Sequence, residues 1–213
     1  MFILTKIADL VQIAPEDFGK QSHQAIEDNI NTKYANKVVQ KIGLFVCLWD
    51  ILWTSEGLIG QGDGFVNVNV EFRMVVFRPF QGEVLMARIA NQSREGISLA
   101  TAFFHDIFIP FSELPDDTEF DPREQTWVWK VKSGDDGEGG EEAAPAEEAE
   151  EAAEMYFDNN EVVRFQVVSE EWHDQAPSGP QDSADQPASE LLPPYKITGS
   201  MKAAGLGCTI WWD

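Results

Sequence analysis

The sequence predicts an α+β amino-terminal domain followed by an all-β barrel with disordered acidic insertions. Before residue 78, a strand-like run and a helical stripe are followed by several more strand-like runs. After it, the apolar runs are short and are separated by Gly, Pro and Asp residues. Proline lacks the N–H that a central strand needs, so Arg78–Pro79 marks the boundary between the two patterns. We therefore expect domains at residues 1–78 and 79–213.

The first domain begins with a strand and a helix. The run Phe2–Ile13 is apolar, and its imperfect alternation is typical of a strand buried on both faces. Pro15 followed by two acidic residues marks a helix start. The helix is expected to end near Ala35, because asparagines weaken its apolar stripe there. That stripe consists of Phe18, Ile26, Ile30 and Tyr34.

Several strands complete this domain. Strand-like runs occur at Lys37–Lys41 and Ile42–Ile51, and an alternating run at Val66–Val70 continues into Phe72–Phe77. A domain of about 78 residues has a core of marginal size. We therefore expect it to depend on a neighbour or a partner for stability.

The glycine-rich loop Gly57–Gly64 is interpreted as a turn between strands. It fails the dinucleotide-binding pattern because Phe65 stands where a third glycine is needed, and no Lys-Ser/Thr pair follows for a P-loop. Glycines permit positive φ and close approach to another surface. We expect the loop to dock against a partner through Gly60, Gly62, Asp63 and Gly64.

The second domain is predicted to contain only strands. Five or six short strands suit a small barrel better than a sandwich. At the carboxyl terminus, a strand would send Trp211 and Trp212 to opposite sides, one inward and one toward the first domain or a partner. The expected strands are Gly82–Ala90, Ile97–Thr101, Asp106–Pro110, Thr126–Lys132, Glu161–Ser169, Tyr195–Ser200 and Cys208–Trp212.

The negative charge of the chain is concentrated in two segments. The formal net charge is −22, from 37 acidic and 15 basic residues. Ser133–Glu154 carries ten acidic residues and His173–Pro194 carries four, and neither contains Lys or Arg. Both read as disordered insertions at barrel turns, at 133–155 and 173–194. The remainder is only mildly acidic, and the overall charge argues against a protein that coats nucleic acid.

Residue types and spacings favour no enzyme and no metal site. The three histidines and two cysteines lie far apart without ligand spacing, and no nucleophile motif is present. We therefore expect no cofactor. Two cysteines indicate a reducing compartment. The absence of a signal-peptide pattern and of a long apolar run predicts a soluble intracellular protein without membrane contact.

The barrel offers chemistry suited to single-stranded RNA, since bases stack on aromatic rings while cations meet phosphates. Arg88 and Arg94 flank its first strand, and Phe103, Phe104 and His105 precede a later one. The alternative is that Phe103 or Phe104 fills the barrel interior. Further positive charge could come from Lys196, with Lys130, Arg164 and Lys202.

Five stretches together resemble the larger stalk subunits of nuclear RNA polymerases and their archaeal counterparts. These are MFILTKIADLVQIAPEDF, NKVVQKIGLFVCLWDI, GQGDG, VEFRMVVFRPFQGEV and GLGCTIWW. The run EGISLATAFFHDIFIPFSEL and the terminal tryptophans are similar to the polymerase III members of this family. The resemblance covers nearly the whole chain, except the two acidic segments.

The resemblance implies an RNP-like tip domain followed by an S1/OB barrel. It implies a non-catalytic nuclear subunit that pairs with a smaller helical stalk subunit and anchors to the polymerase III core beside the clamp. The barrel would then face initiation factors and nascent RNA during synthesis of tRNA, 5S rRNA and other small RNAs. Ile97 departs from the family pattern, where an aromatic residue is common in RNA-binding members.

One other function remains open. The chain could be a free-standing S1-type RNA-binding protein in translation or RNA decay, in which case the isolated barrel should bind RNA in a salt-sensitive manner. A hydrolase has no residues to support it.

Overall fold

The computed structural model describes residues 1–60, 62, 64–131, 153–174 and 192–212. The chain forms two compact units. The first consists of Met1–Phe80 with Trp172–Tyr195, and the second of Gln81–Glu171 with Lys196–Asp213. This boundary lies two residues after the predicted one, and residues 172–195, which the prediction gave to the barrel domain, belong here to the first unit.

The first unit is an antiparallel sheet with one helix. Its strands lie in the order β1-β5-β3-β2, and the short β4 pairs with the beginning of β5. Helix α1 packs against β1 and β3. The elements are β1 (Phe2–Ile13), α1 (Ser22–Tyr34), β2 (Val38–Val39), β3 (Gly43–Thr54), β4 (Leu58–Ile59) and β5 (Val66–Phe77).

The predicted single helix from Pro15 to Ala35 is in fact two elements. A 3-10 turn covers Pro15–Gly19, and α1 begins only at Ser22 because Lys20 and Gln21 are extended. Glycine at the end of the turn weakens helix continuation. Phe18 therefore falls outside the apolar stripe and is exposed, whereas the stripe residues Ile26 and Ile30 are buried.

The irregular alternation of β1 predicted a strand buried on both faces, and this prediction is wrong. It lies at the sheet edge and pairs with β5 alone among the described strands. Val11 and Ile13 are buried on the helix side, while Phe2 and Leu10 on the other side are exposed. One helix covers only one face, so the outer row of an edge strand stays in contact with solvent.

Strand β3 departs from the two-residue period of a regular strand. Its pairing with β5 shifts three times, between Phe45/Cys47, Leu48/Asp50 and Ile51/Trp53. Each bulge inserts one extra residue and bends the strand. Inward positions therefore recur every three residues, and the inserted residues are exposed. They are Val46, Trp49 and Leu52.

The second unit contains a closed five-stranded barrel. Its strands lie in the order β13-β8-β7-β6-β12, and β12 pairs with β13 to close the ring. The short β14 also pairs with β12, along the edge opposite β6. The inward side chains of the barrel are alternate apolar residues, as with Leu85, Ala87 and Ile89 of β6. The strands are β6 (Val84–Ser93), β7 (Gly96–Ala100), β8 (Ile107–Pro110), β12 (Val162–Trp172), β13 (Tyr195–Ser200) and β14 (Gly207–Cys208).

Glycine is required where β6 turns into β7. A Cβ on Gly96 would lie 2.0 Å from the carbonyl oxygen of Ile109, which is backbone and cannot move aside. The glycine thus permits β7 and β8 to pair closely at this end of the barrel.

A separate three-stranded sheet, in the order β11-β10-β9, was only partly predicted. Strand β10 (Thr126–Val131) was expected, but β9 (Thr118–Asp121) and β11 (Ala153–Tyr156) were not. Residues 153–155 are therefore wrongly assigned to a disordered insertion, because Ala153 pairs with Val131. Residues 133–152 of that insertion lie outside the described residues.

The second insertion is likewise ordered where the structure describes it. The N–H of His173 donates to the carbonyl oxygen of Pro194 at 3.1 Å, so this backbone bond joins the two ends of the predicted segment 173–194. Residues 175–191 lie outside the described part of the chain.

The carboxyl terminus does not form the predicted strand Cys208–Trp212. Strand β14 ends at Cys208, and Thr209–Trp211 form a 3-10 turn. The Trp211 ring packs edge-on against Phe157, with centroids 4.7 Å apart. The two tryptophans therefore do not alternate across a strand, and Trp212 instead bonds through Nε1–H to the carbonyl oxygen of Leu206 at 2.9 Å.

Candidate interaction surfaces

The outer surface of the barrel is the first candidate site. In barrels of this architecture, oligonucleotides lie across the second and third strands. Here those strands are β7 and β8. Their outward side chains, together with neighbouring residues of β6 and β13, form what we call the barrel face. Its members are Arg88, Ser98, Ala100, Phe108 and Lys196.

Three of the sequence-predicted residues lie at one end of the barrel face. Arg88 points outward from β6, and its Nη1–H donates to the carbonyl oxygen of Asn160 at 3.0 Å. Phe103 and His105 lie exposed in the connection between β7 and β8, and Phe103 keeps 39% of its surface accessible. An exposed ring at the same end of the barrel as Arg88 fits base stacking.

Phe104 does not belong to this surface. It is only 4% exposed, so it fills the interior, as the alternative interpretation allowed. Its N–H donates to Thr101 Oγ1 at 3.1 Å and its carbonyl oxygen accepts from the Thr101 N–H at 2.7 Å. These bonds fix the connection between β7 and β8, in which the adjacent residue Phe103 remains exposed.

Arg94 is also separated from the other candidates. It lies in the turn between β6 and β7, whereas Phe103 follows the opposite end of β7. Five residues of extended strand place these two ends about 16 Å apart. Arg94 therefore cannot act on the same nucleotide as Phe103.

Lys196 reaches an aromatic residue that the sequence reasoning missed. Its Nζ lies 5.0 Å from the ring centroid of Phe108 on β8. Phe108 is half-buried and outward-facing, between the inward residues Ile107 and Ile109. The alternation of this short run carried the signal, because a strand of the barrel must turn its middle residue outward.

Asp106 follows His105 in the connection between β7 and β8. Burial raises the pKa of the Asp106 carboxyl, and the neighbouring His105 acts in the opposite direction. A carboxyl with a raised pKa repels phosphate over a narrower pH range.

The glycine loop forms the tip of a hairpin, the second candidate site. Leu58 and Ile59 of β4 pair with Asn67 and Val66, and they are 71% and 70% exposed. Gly62 and Gly64 adopt φ values of 100° and 72°, which favour glycine. Asp63 lies outside the described residues. The predicted docking positions Gly60, Gly62 and Gly64 therefore belong to a hairpin that presents apolar side chains.

A third surface runs along the bulged strand. We call Val46, Trp49, Leu52 and Trp53 the β3 stripe. Trp49 is 62% exposed, and the other three side chains are exposed as well. Exposed large apolar side chains that are close together along one strand are typical of an interaction surface.

The two terminal tryptophans differ in what they could contact. Trp211 packs against Phe157 and Trp129 within the second unit, with ring centroids 4.7 and 5.5 Å away. Trp212 and its neighbour Ile210 are exposed. Of the predicted docking pair, Trp212 is thus the better placed to meet a partner.

The described ranges contain neither a cluster of metal-binding side chains nor a membrane-spanning helix. Within them, no group of three His, Cys, Asp or Glu residues is arranged to hold a metal ion. No described helix is long and apolar enough to cross a membrane. Burial strongly raises the pKa of the Cys208 thiol, which keeps it protonated rather than nucleophilic.

Comparison with protein families covers both units. Residues 83–212 match the family model described as RNA polymerase III subunit Rpc25. Residues 8–64 match an SHS2 domain found in the N terminus of Rpb7p, Rpc25p and MJ0397.

Two similar proteins cover the full length of the chain, and an archaeal one covers about half of it. DNA-directed RNA polymerase III subunit rpc8 of Schizosaccharomyces pombe is 40% identical over 215 residues, covering 100% of both chains. The RPC8 subunit of Bos taurus is 38% identical, covering 100% of this chain and 98% of the relative. The archaeal subunit Rpo7 of Saccharolobus solfataricus is 27% identical over 118 residues, covering 55% of this chain and 65% of the relative.

Proposed function

Because this chain belongs to the RNA polymerase III subunit Rpc25 family, we propose that it is a stalk subunit of DNA-directed RNA polymerase III without an active site of its own. The full-length similarity to polymerase III subunits carries this proposal. The predicted family and the predicted fold class, a tip domain followed by an S1/OB-type barrel, are both confirmed. A nuclear location follows from the proposed assembly.

The smaller helical stalk subunit is the proposed partner for heterodimer formation. Exposed apolar surface on the β3 stripe supports the need for such a partner, since Trp49 and Trp53 are more than half exposed in the single chain. Large aromatic side chains are the residues that most often carry binding energy at interfaces.

The glycine hairpin is the proposed contact with the polymerase core beside the clamp. Its support is the pair of exposed residues Leu58 and Ile59 next to glycines that allow close backbone approach. Trp212 is a second proposed docking residue. We assign no individual contact to Asp63.

The barrel is proposed to face initiation factors and nascent RNA, in the synthesis of tRNA, 5S rRNA and other small RNAs. Exposed Phe103 and the Lys196–Phe108 pair support this role, because they combine stacking surface with positive charge. The buried position of Ile97 and the acidic overall charge favour weak RNA contact guided by the assembly.

Co-expression with the smaller subunit tests the heterodimer. We expect a stable 1:1 complex in size-exclusion chromatography with light scattering, and Trp49→Ser should weaken it about tenfold or more. Phe111→Ser is the control, since Phe111 is an exposed aromatic residue of the second unit. A monomer that ignores the smaller subunit would contradict the proposal.

A free-standing S1-type RNA-binding protein is the second candidate, favoured by the same cation–aromatic pair on the barrel face. It predicts that the chain alone binds RNA tightly and that Phe103→Ala and Lys196→Ala abolish binding. Weak binding by the single chain, strengthened in the assembly, separates the stalk role from this alternative.

A further inference from the structure

A groove of about 550 Å³ lies on the outside of the barrel and shares Arg88 and Ala100 with the barrel face. It is formed by β6, the end of β7 and the turn that precedes β12. Its volume falls in the range of small-molecule sites and accommodates a nucleobase. The residues that matter for its chemistry are Met86, Arg88, Ala90, Ala100, Asn159 and Asn160.

One wall of the groove is held rigidly by backbone bonds. The Asn160 N–H donates to the carbonyl oxygen of Ile89 at 2.8 Å, and the Ile89 N–H donates to that of Glu161 at 3.0 Å. Within the turn, the Glu161 N–H donates to the Asp158 carbonyl oxygen at 3.2 Å. The wall is therefore formed in advance and need not order itself around a ligand.

The orientation of the Asn159 side-chain amide follows from two hydrogen bonds of Gln92. The Trp127 N–H can only donate, and it lies 2.9 Å from Gln92, so the accepting atom is Gln92 Oε1. Gln92 must then offer Nε2–H to its other partners, and one of these is Asn159 at 3.1 Å. The Asn159 atom facing Gln92 is consequently its oxygen, which leaves its NH₂ group as the part that a ligand in the groove can meet.

Arg88 and Asn159 present hydrogen-bond donors to the groove. The Arg88 guanidinium uses one N–H on the Asn160 carbonyl oxygen and retains four others. The Thr101 hydroxyl, which also lines the groove, donates to the Phe104 carbonyl oxygen at 3.0 Å and accepts from the Phe104 N–H. Arg88 and the NH₂ of Asn159 thus select for a ligand edge that carries acceptors.

The floor of the groove suits a flat ring. Ala90 and Ala100 leave the backbone open to close approach, and Met86 at one side is 59% exposed. A thioether is a favourable neighbour for an aromatic ring. A planar, acceptor-edged group stacked on alanines beside Met86 is the ligand that this geometry fits.

We propose that the groove binds one base of single-stranded RNA and prefers the keto bases uracil and guanine to the amino bases cytosine and adenine. The proposal rests on the proposed RNA contact of the barrel. Uracil O4 and guanine O6 accept hydrogen bonds, whereas cytosine and adenine place an amino donor at the same position. Placed against Arg88 and the Asn159 NH₂, that amino group faces other donors, which costs binding free energy.

Oligouridylate and oligocytidylate of eight nucleotides form a matched pair for the test, since both are pyrimidines of similar stacking area. Fluorescence anisotropy with the full chain in its heterodimer at low salt measures both. We expect uridylate to bind about fivefold more tightly, the factor that one net hydrogen bond supplies.

Asn159→Asp is the decisive variant. It keeps the oxygen that accepts from Gln92 and replaces the NH₂ donor by an acceptor, so the preference should reverse in favour of cytidylate. Asn91→Asp is the control, since Asn91 is an exposed residue of β6 outside the groove and the variant adds the same charge. It should weaken the binding of both RNAs equally and so preserve the preference for uridylate.

Equal affinities for the two RNAs, or an Asn159→Asp ratio identical to that of Asn91→Asp, would overturn the groove assignment and leave the RNA contact of the barrel intact. Failure of both RNAs to bind would instead remove the RNA contact itself, and the groove with it.

Discussion

Gln92 is a buried amide whose hydrogen bonds join three parts of the second unit. Its side chain accepts from the Trp127 N–H and donates to the Phe157 carbonyl oxygen and to Asn159. A bulge between Ile89 and Asn91 turns Gln92 inward, where regular alternation would have turned Asn91. One inserted residue thereby places a polar side chain where it connects the barrel with β10.

Replacing this amide by leucine should destabilise the second unit. Gln92→Leu leaves the buried Trp127 N–H and Phe157 carbonyl oxygen without their partner, at a cost of about 2–4 kcal/mol. Urea unfolding monitored by tryptophan fluorescence measures the change. Gln166→Leu is the control, because its bond to the Gly82 carbonyl oxygen is exposed and should matter by less than about 0.5 kcal/mol. Equal losses for the two variants would contradict the role given to Gln92.

Asp9 links the edge strand β1 to the end of α1. Its Oδ2 accepts from the Tyr34 hydroxyl at 2.7 Å and forms an ion pair with Lys33. Burial works to raise the pKa of Asp9, but the bonds from Lys33 and Tyr34 outweigh it and lower the pKa. Burial, with the Asp9 carboxylate, raises the pKa of Tyr34 to about 12.

The lowered pKa of Asp9 predicts a loss of stability in acid. Its contribution is complete above the unfolded-state pKa of Asp and disappears as the pH falls through the lower folded-state value. Between pH 5 and pH 2 the wild type should therefore lose more stability than Asp9→Asn, measured by urea unfolding at each pH. Asp116→Asn, at an exposed position, should follow the wild type. Parallel curves for the wild type and Asp9→Asn would refute this assignment.

At the scale of elements, the carboxyl-terminal end of the acidic segment forms part of strand β11. Val131 and Ala153 are paired neighbours in the sheet, so residues 132–152 connect two strand ends that already lie side by side. Strand β11 continues from there, with Met155 opposite Trp129. Residue 153 therefore belongs to the sheet of the second unit.

Replacing residues 132–152 by Asn-Gly should leave the fold intact, because this pair closes a tight hairpin between β10 and β11. The melting temperature should stay within about 2 °C of the wild type. A longer deletion, through Tyr156, removes β11 and should lower it strongly. A large drop with the shorter replacement would show that the acidic segment itself packs on the unit.

Strands with regular alternation were predictable, and elements governed by irregular geometry were not. Tyr195–Ser200 has the bounds that its pattern predicted, and β5 follows from the run beginning at Val66. The bulges of β3 could not be predicted from a two-residue period, because nothing in the local sequence distinguishes the inserted Trp49 from its neighbours. Strand β9 is short and polar, and its pairing partner defines it more than its own residues do.

The candidate site shows the same division. The residue types suited to RNA could be chosen from sequence, and Phe103 and Lys196 are on the surface. Which of two adjacent phenylalanines is buried depends on the bonds of Thr101, and the separation of Arg94 depends on which end of β7 it occupies. Phe108 and the amides of the groove require the three-dimensional pairing of strands before they can be recognised.

At the scale of the whole molecule, both units present candidate binding surfaces that are exposed in the single chain. The first carries the glycine hairpin and the β3 stripe, and the second carries the barrel face and the groove. Such surfaces support the proposed role of a subunit that joins other chains and guides RNA. Membership in the Rpc25 family gives that arrangement its proposed setting.

Affinity purification of the tagged full-length chain from nuclear extract tests the central claim most directly. Quantitative mass spectrometry of the eluate should find the smaller stalk subunit at 1:1 together with the polymerase III core. The variant carrying Leu58→Asp and Ile59→Asp should retain the smaller subunit and lose the core, because both exposed side chains lie in the proposed docking hairpin. Recovery of the chain alone, or with ribosomal or RNA-decay proteins in place of the polymerase, would contradict the account.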